Sequence, residues 1–338
     1  MSGRLFTSRY DQMRRLIDRK LETLVKKSEP TDLNRGLKYV LTSGGKRVRS
    51  SLVILSCEAV GGTRHDAMDA GAAVEMLHNF TLVHDDIMDN APSRRGRPTV
   101  HTKWDVNNAL LVGDVLLGMA YASLTKSRTR ELHTLVHLFT GGFLEVCEGQ
   151  ALDLEYERRR KVSLREYFVM IEKKTARLIS MSCEVGGLLG NATPRQRKAL
   201  RQFGHYIGRA FQVQDDLLDV AAEPRRFGKA LGGDILEGKK TFLLTKAAER
   251  VRGKDRTLLE RVMQLKSEPT ATLRTSTQRQ AFVAAVTDLY RRHGIMSAAR
   301  QQIAHDTRKA TAALAELPQN QATAMLGWFS QMLLQRLS

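Results

Sequence analysis

The chain reads as all-α, and three observations carry that. Only seven prolines interrupt 338 residues, and the long periodic stretches between them are rich in Ala, Leu, Glu, Arg and Met, the strong helix formers. Aromatics make up 6% of the chain, and valine–isoleucine runs are few, so a sheet has little support. No low-complexity linker divides the sequence, which predicts one all-helical domain over 1–338.

Residues 4–28 predict an amphipathic helix with Leu5, Met13, Leu16, Ile17, Leu21, Leu24 and Val25 along its stripe. Glu29-Pro30-Thr31-Asp32 ends it, because the residue before proline is pushed out of the α region. A short helix near 35–42 leads into Ser43-Gly44-Gly45-Lys46-Arg47-Val48-Arg49, a turn where backbone can approach a ligand while cations converge on it. A helix near 50–60 stops at Gly61-Gly62, and a long one runs from about Asp66 to Asp89. Asn90 to Lys103 is irregular, since Pro92, Gly96 and Pro98 oppose a continued helix. Helices follow near 105–127, 129–156 and 163–190, and then from Pro194 to Ala221. A second irregular basic segment covers 222–240. Helices resume near 241–251, 255–266, 271–292, 295–315 and 319–337, where Met325, Leu326, Phe329, Met332 and Leu333 predict a docked C-terminus.

The net charge of +18 fits a solvated surface, attraction to anionic lipid or nucleic acid, or a site that holds phosphorylated substrates. The basic residues are spread without zinc-finger spacing, a recognition-helix signature or aromatic interleaving, so a nucleic-acid partner is not expected. No stretch approaches 18 uncharged apolar residues, so stable membrane insertion is not expected. The first 27 residues are basic but lack an apolar region to follow, a poor fit to a cleaved leader. Cys57, Cys147 and Cys183 lie in apolar helical stretches without CxxC spacing and read as reduced core residues of a cytoplasmic protein.

Chemistry concentrates in Asp-Asp-x-x-Asp, which occurs as Asp85, Asp86 and Asp89 and again, 130 residues on, as Asp215, Asp216 and Asp219. Each copy ends an apolar helical stretch and gathers three carboxylates on or near one face. Like charges packed together favour a bound cation, and carboxylate oxygen suits Mg²⁺, which shares its shell between carboxylates and substrate phosphates. Each copy precedes a basic loop. Arg94, Arg95 and Arg97 follow the first, with His78, His84 and His101 nearby; Lys229, Asp234, Lys239 and Lys240 follow the second, with Gln212 before it. Gln150 and Asp153 share a helix face, and Lys174-Thr175 interrupts an apolar run. Arg97 reads as surface charge, and His101 and His133 as satisfied polar residues.

These pieces in this order resemble the trans-isoprenyl diphosphate synthases, or polyprenyl synthetases. The resemblance rests on GGKRVR at 44–49, HNFTLVHDDIMD at 78–89, RRGRPTVH at 94–101, GQALD at 149–153, KTA at 174–176, FQVQDDLLD at 211–219, and Lys229 through GGDILEGKKT. It implies the isoprenoid synthase fold, a bundle of long antiparallel helices around a central cavity, and a homodimer. It further implies that Asp85, Asp86, Asp89, Asp153, Asp215, Asp219 and, less directly, Asp216 hold Mg²⁺. Arg94, Lys174, Lys229 and Lys239 would grip an allylic diphosphate (dimethylallyl, geranyl or farnesyl). Gly45, Lys46, Arg49, His78 and Arg95 would bind isopentenyl diphosphate, and Thr175 and Gln212 would steady the allylic carbon. DDLLD together with GGKRVR and RRG favours chain elongation over terpene cyclisation, and Ser50 stands where many members have proline.

The resemblance makes Phe80, five residues before Asp85, the floor for the growing chain. On a helical wheel five residues turn about 140°, which puts Thr81 and His78 more directly beneath Asp85. Bulky Phe80, smaller Thr81 and a first motif without a two-residue insertion make the chain look most like a geranylgeranyl diphosphate (C20) synthase. A farnesyl diphosphate (C15) synthase is the nearest alternative, and a non-catalytic basic protein that binds lipid or nucleic acid is a remote one.

Overall fold

Sixteen α-helices carry the described part of the chain, residues 3–25, 30–221, 232–265 and 275–334 of a computed structural model. By internal contacts it divides into two compact units. The first comprises Met1–Phe143, Leu178–Phe203 and Ala313–Phe329; the second comprises Leu144–Arg177, Gly204–Ala312 and Ser330–Ser338.

The first unit is organised around α4 (Arg64–Met88), which packs on α3 (Val48–Ala59) and α6 (Val106–Leu124). The long helix starts at Arg64 because Thr63 is its cap: the Thr63 hydroxyl accepts from Asp66 N, and the Asp66 carboxylate accepts from Thr63 N. Ala70 to Leu77 are buried without a break, and the C-cap is Asp89. Thus the first aspartate motif is carried on the last turn of a helix fixed by its core.

Around α4 stand α1 (Gly3–Leu24) and α2 (Thr31–Leu41). The core face of α1 is Phe6, Tyr10, Met13, Ile17 and Leu21. This corrects the predicted stripe, since Leu5 is exposed and the two aromatics take its place. Residues 90–103 hold a short antiparallel hairpin, β1 (Ser93–Arg94) with β2 (Arg97–Pro98), and a single-turn α5 (Val100–Lys103). The hairpin turns on Arg95 and Gly96, both at positive φ. The unit also holds α9 (Arg177–Leu189) from Leu178 on. It ends with α16 (Gln321–Leu334) as far as Phe329, where Met325, Leu326 and Phe329 are fully buried, as a docked C-terminus requires.

In the second unit α8 (Leu164–Ile171) starts at a Ser163–Glu166 capping box. It passes through a π-helical turn, Glu172–Ala176, before α9. The predicted helix over 163–190 is therefore interrupted at the Lys174-Thr175 step. α7 (Leu132–Arg158) from Leu144 and α10 (Pro194–Ala221) from Gly204 flank that turn in the sequence order. α11 (Gly233–Leu236), α12 (Phe242–Arg250), α13 (Asp255–Gln264), α14 (Ser276–Arg292) and α15 (Ile295–Ala313) complete the unit. Tyr167, Leu217, Phe242, Val286, Leu289 and Tyr290 lie at the centre of its core.

Two other expectations change, for Cys147 and for His101. Cys57 and Cys183 are buried but Cys147 is exposed, because it falls on the outer face of α7. His133 is exposed, where water can satisfy its ring, whereas His101 Nδ1 is buried without a hydrogen-bond partner among the described residues. Among the described residues one helix, Val106–Leu124, is long and apolar enough to pass as a membrane span, with a third of its window buried. That helix contains Asp114 and two asparagines, so it is not a run of 18 uncharged apolar residues.

Candidate active site

The first aspartate motif is already engaged by its own basic loop. Arg94 reaches back from β1, its Nε donating to Asp86 Oδ1 at 2.8 Å and its Nη2 lying 3.8 Å from Asp85 Oδ2. Burial raises the Asp86 carboxyl pKa, and Arg94 opposes that rise. Asp85 is part-exposed and Asp89 exposed. Arg94 and Arg95 line one cleft with Tyr39, Asn79 and Asp86. Arg97 is exposed and stacks over the Tyr39 ring at 4.2 Å.

Beside this cleft the glycine turn is closed by arginines. Arg95 Nη1 donates to Gly44 O at 2.6 Å, and Gly45 sits at φ 150°, where an added Cβ would come 2.9 Å from Arg95 Nη1. Glycine is needed there for its conformation, while the close Arg95 Nη1 is the end of a long side chain. His78 Nε2 accepts from Arg49 Nη1 at 3.0 Å. Burial, then Arg49, Arg95, Arg94 and Arg47, push the His78 pKa well below its ordinary value, so the ring is neutral at pH 7. Phe80 is buried, with its ring 4.5 Å from His84 and edge-on to Phe143 at 5.6 Å; Thr81 is half-buried and donates to His78 O.

The second motif is built differently. Asp216 is buried and accepts from Tyr167 Oη at 2.7 Å, Phe242 N at 2.8 Å and Gln212 Nε2 at 3.0 Å. Gln212 Oε1 in turn accepts from Thr175 Oγ1 at 2.8 Å. The result is one hydrogen-bonded line from Thr175 through Gln212 to Asp216, which fixes the amide orientation. Asp219 Oδ2 accepts from Asp234 N at 3.1 Å, and Asp215 is part-exposed. Burial and then Asp234 push Asp216 up to about 6 and raise Asp219 as well.

Two lysines of the same unit pair with acids outside the motif itself. Lys239 Nζ lies 3.5 Å from Asp234 Oδ1, and Lys174 Nζ donates to Asp153 Oδ2 at 2.5 Å. Burial lowers the Lys239 pKa, but Asp234, Asp153 and Asp216 outweigh it and hold the ammonium charged. Lys174 and Thr175 sit on the π turn, a geometry that re-aims two successive side chains. Lys229 lies outside the described residues.

Sequence reasoning missed Tyr167, whose hydroxyl tethers Asp216, and it missed the space around Gly149. A Cβ on Gly149 would meet Lys174 N at 2.2 Å. It took Asp216 as a secondary ligand, whereas both of its oxygens are held by protein donors. Asp216→Ala would strand the buried Tyr167 hydroxyl and Phe242 N–H. It is expected to cost about 3 kcal/mol of stability, read as a lower urea midpoint.

Among the described residues no three ligating side chains converge into a closed metal cage. Mg²⁺ takes one or two carboxylates and fills its shell with phosphate and water. Carboxylates of that kind stand part-exposed at Asp85 in the first unit and at Asp215 in the second.

An all-helical chain with two aspartate motifs on core helices, each supplied with guanidinium or ammonium groups, has the make-up of a trans-prenyltransferase. The chain belongs to the polyprenyl synthetase family, whose model matches residues 30–279. It is 36% identical over 322 residues, 95% of either chain, to the short chain isoprenyl diphosphate synthase of Methanothermobacter thermautotrophicus. The crystal structure of geranylgeranyl pyrophosphate synthetase from Pyrococcus horikoshii superposes with a TM-score of 0.91 at 34% identity, covering 98% of this chain and 99% of that one. A polyprenyl synthase from Caulobacter crescentus, solved with calcium and isoprenyl diphosphate, superposes with a TM-score of 0.84 at 26% identity, covering 99% and 97%. The fold is the isoprenoid synthase fold, and the chain is an enzyme that carries out the condensation chemistry of that family.

Proposed function

We propose that the enzyme condenses isopentenyl diphosphate with an allylic diphosphate (dimethylallyl, geranyl or farnesyl) and releases geranylgeranyl diphosphate, C20. The observation that carries this reading is that both aspartate motifs have a cation at hand: Arg94 at Asp85 and Asp86, Lys239 at Asp234 beside Asp219. Such pairs hold an anion and its counter-ions together once substrate replaces the internal contacts.

In this reading Asp85, Asp86, Asp89, Asp153, Asp215 and Asp219 hold Mg²⁺, with Asp216 supporting them through Gln212. When bound, Mg²⁺ neutralises charge on the departing diphosphate. Arg94, Lys174, Lys239 and Lys229 grip the allylic diphosphate as its bond to C1 breaks. Gly45, Lys46, Arg49, His78 and Arg95 seat isopentenyl diphosphate, whose double bond attacks C1. Thr175 and Gln212 face the allylic carbon, and the proton lost in the last step passes to the released diphosphate. Apolar helices around the tail keep water from the cationic carbon.

Chain length follows from Phe80, whose ring is braced by Phe143 and His84 and so cannot swing aside easily. Likeness to the Pyrococcus enzyme supports the same length. Chromatography of dephosphorylated products from isopentenyl diphosphate and each primer is expected to end at C20; a C15 end point would make the enzyme a farnesyl diphosphate synthase. Phe80→Ala is expected to lengthen the product by at least one C5 unit, and an unchanged product would remove Phe80 from this role.

We place the enzyme in the cytoplasm, as a single functional domain that acts as a homodimer. α6 exposes Val106, Leu110 and Leu111, an apolar strip that a second copy would cover.

A further inference from the structure

We infer that the N-terminal helix α1, which lies outside the residues matched by the family model, positions the isopentenyl diphosphate loop Gly44–Arg49 through Asp18 and Tyr10.

Arg47 is the hinge of that arrangement. It stands between Lys46 and Arg49, both assigned to substrate, yet its own side chain is 1% exposed. Its backbone is left-handed, with φ 48° and ψ 37°, where a non-glycine residue is held only by its surroundings. The surroundings are specific. Arg47 Nε donates to Asp18 Oδ1 on α1 at 2.7 Å, Nη1 to Glu75 Oε1 on α4 at 3.1 Å, and Nη2 to Leu41 O at the end of α2 at 2.7 Å. Ser50 Oγ donates to Glu75 Oε2 at 2.8 Å, so the same carboxylate ties the first turn of α3 to α4.

With Arg47 turned inward, its neighbours on either side are turned elsewhere. Lys46 is exposed, and Arg49 donates to His78, which is one turn beyond Glu75 on the same face of α4. A second strut from α1 grips the loop backbone directly, as the Tyr10 hydroxyl donates to Lys46 O. Tyr10 is itself fixed edge-on against Phe329 at 5.2 Å. Thus α1 touches the loop at the carbonyl of one assigned residue and at the buried arginine beside it. Neither α1 residue carries the charge that meets substrate; both decide where that charge stands.

This inference rests on the reading that Lys46 and Arg49 bind isopentenyl diphosphate, and its test separates the two. Steady-state kinetics would be measured for Asp18→Asn, Tyr10→Phe and Lys46→Gln, with each substrate varied in turn. Asp18 is 37% exposed on its side chain, so the asparagine keeps the shape of the helix surface while losing the negative charge that faces Arg47. The expected result is a KM for isopentenyl diphosphate raised about tenfold in Asp18→Asn, and by a smaller factor in Tyr10→Phe. kcat and the KM for the allylic diphosphate stay within twofold of the parent. Asp18→Glu is expected to restore most of the lost affinity. If Lys46→Gln raises the KM for isopentenyl diphosphate but both α1 variants leave it unchanged, or alter kcat and both KM values together, α1 does not position the loop. If Lys46→Gln itself leaves that KM unchanged, the loop does not bind this substrate and the inference falls with it.

Discussion

Asp85→Asn is expected to lower kcat by about 10³-fold while the fold stays intact. Asp85 stands on the last turn of α4 with a part-exposed carboxylate, and Arg94 Nη2 lies 3.8 Å from it. The substitution keeps the shape of the side chain and removes the charge, so packing in the core of α4 is undisturbed. What is lost is the negative charge of a part-exposed motif carboxylate. The companion expectation is a higher Mg²⁺ concentration for half-maximal rate. Asp216→Ala contrasts with this, because its deficit appears first in the unfolding midpoint. A fall of less than tenfold in Asp85→Asn would remove Asp85 from the reaction.

The second large effect is expected from a single methyl group. Gly149 lies on α7 against the π turn, and an added Cβ would sit 2.2 Å from Lys174 N, 2.6 Å from Lys174 Cα and 2.7 Å from Lys173 C. All three are backbone atoms, so no side chain can swing away to make room. Retreat is blocked on another side, where a Cβ on Gly208 of α10 would come 2.4 Å from Ala176 Cα. Gly149→Ala must therefore shift or unwind the turn that carries Lys174 and Thr175. A displacement of about 1 Å at reacting groups costs about 10²-fold in rate. Overpacking of this kind costs about 1–3 kcal/mol in stability. Gly141→Ala on the same helix, where nothing lies within 4 Å of the new methyl, is expected to behave as the parent. Equal activity of the two variants would mean that the π turn does not aim Lys174.

Helix content and the aspartate motifs were legible in the sequence because both are periodic. Ala70 to Leu77 sit deep in the core, and the motif that follows them is held at the helix end. The π turn was not legible, since an extra residue in a helix leaves no mark on composition. Its signature was the Gly149 of the GQALD stretch, whose missing side chain is explained only by the backbone it meets. Arg47 was hidden for another reason: within a run of basic residues a buried guanidinium reads like its exposed neighbours. Its partners, Asp18 and Glu75, lie 29 and 28 residues away in sequence. An aliphatic stripe on α1 points to Leu5, whereas aromatic contacts of Phe6 with Trp328 and of Tyr10 with Phe329 set the face of the helix. The cap at Thr63 was readable in principle, as Thr-Arg-His-Asp fits the capping-box pattern.

A crystal structure of the enzyme with Mg²⁺ and a farnesyl diphosphate analogue whose C1–oxygen bond is replaced by C1–sulfur would show where the diphosphate lies. The expected result is one diphosphate reached from both aspartate motifs, Asp85 and Asp89 through metal on one side and Asp215 on the other, with Arg94 and Lys239 on its oxygens. A diphosphate bound to only one motif, or the two motifs opening onto separate regions of solvent, would contradict the proposed reaction at its root.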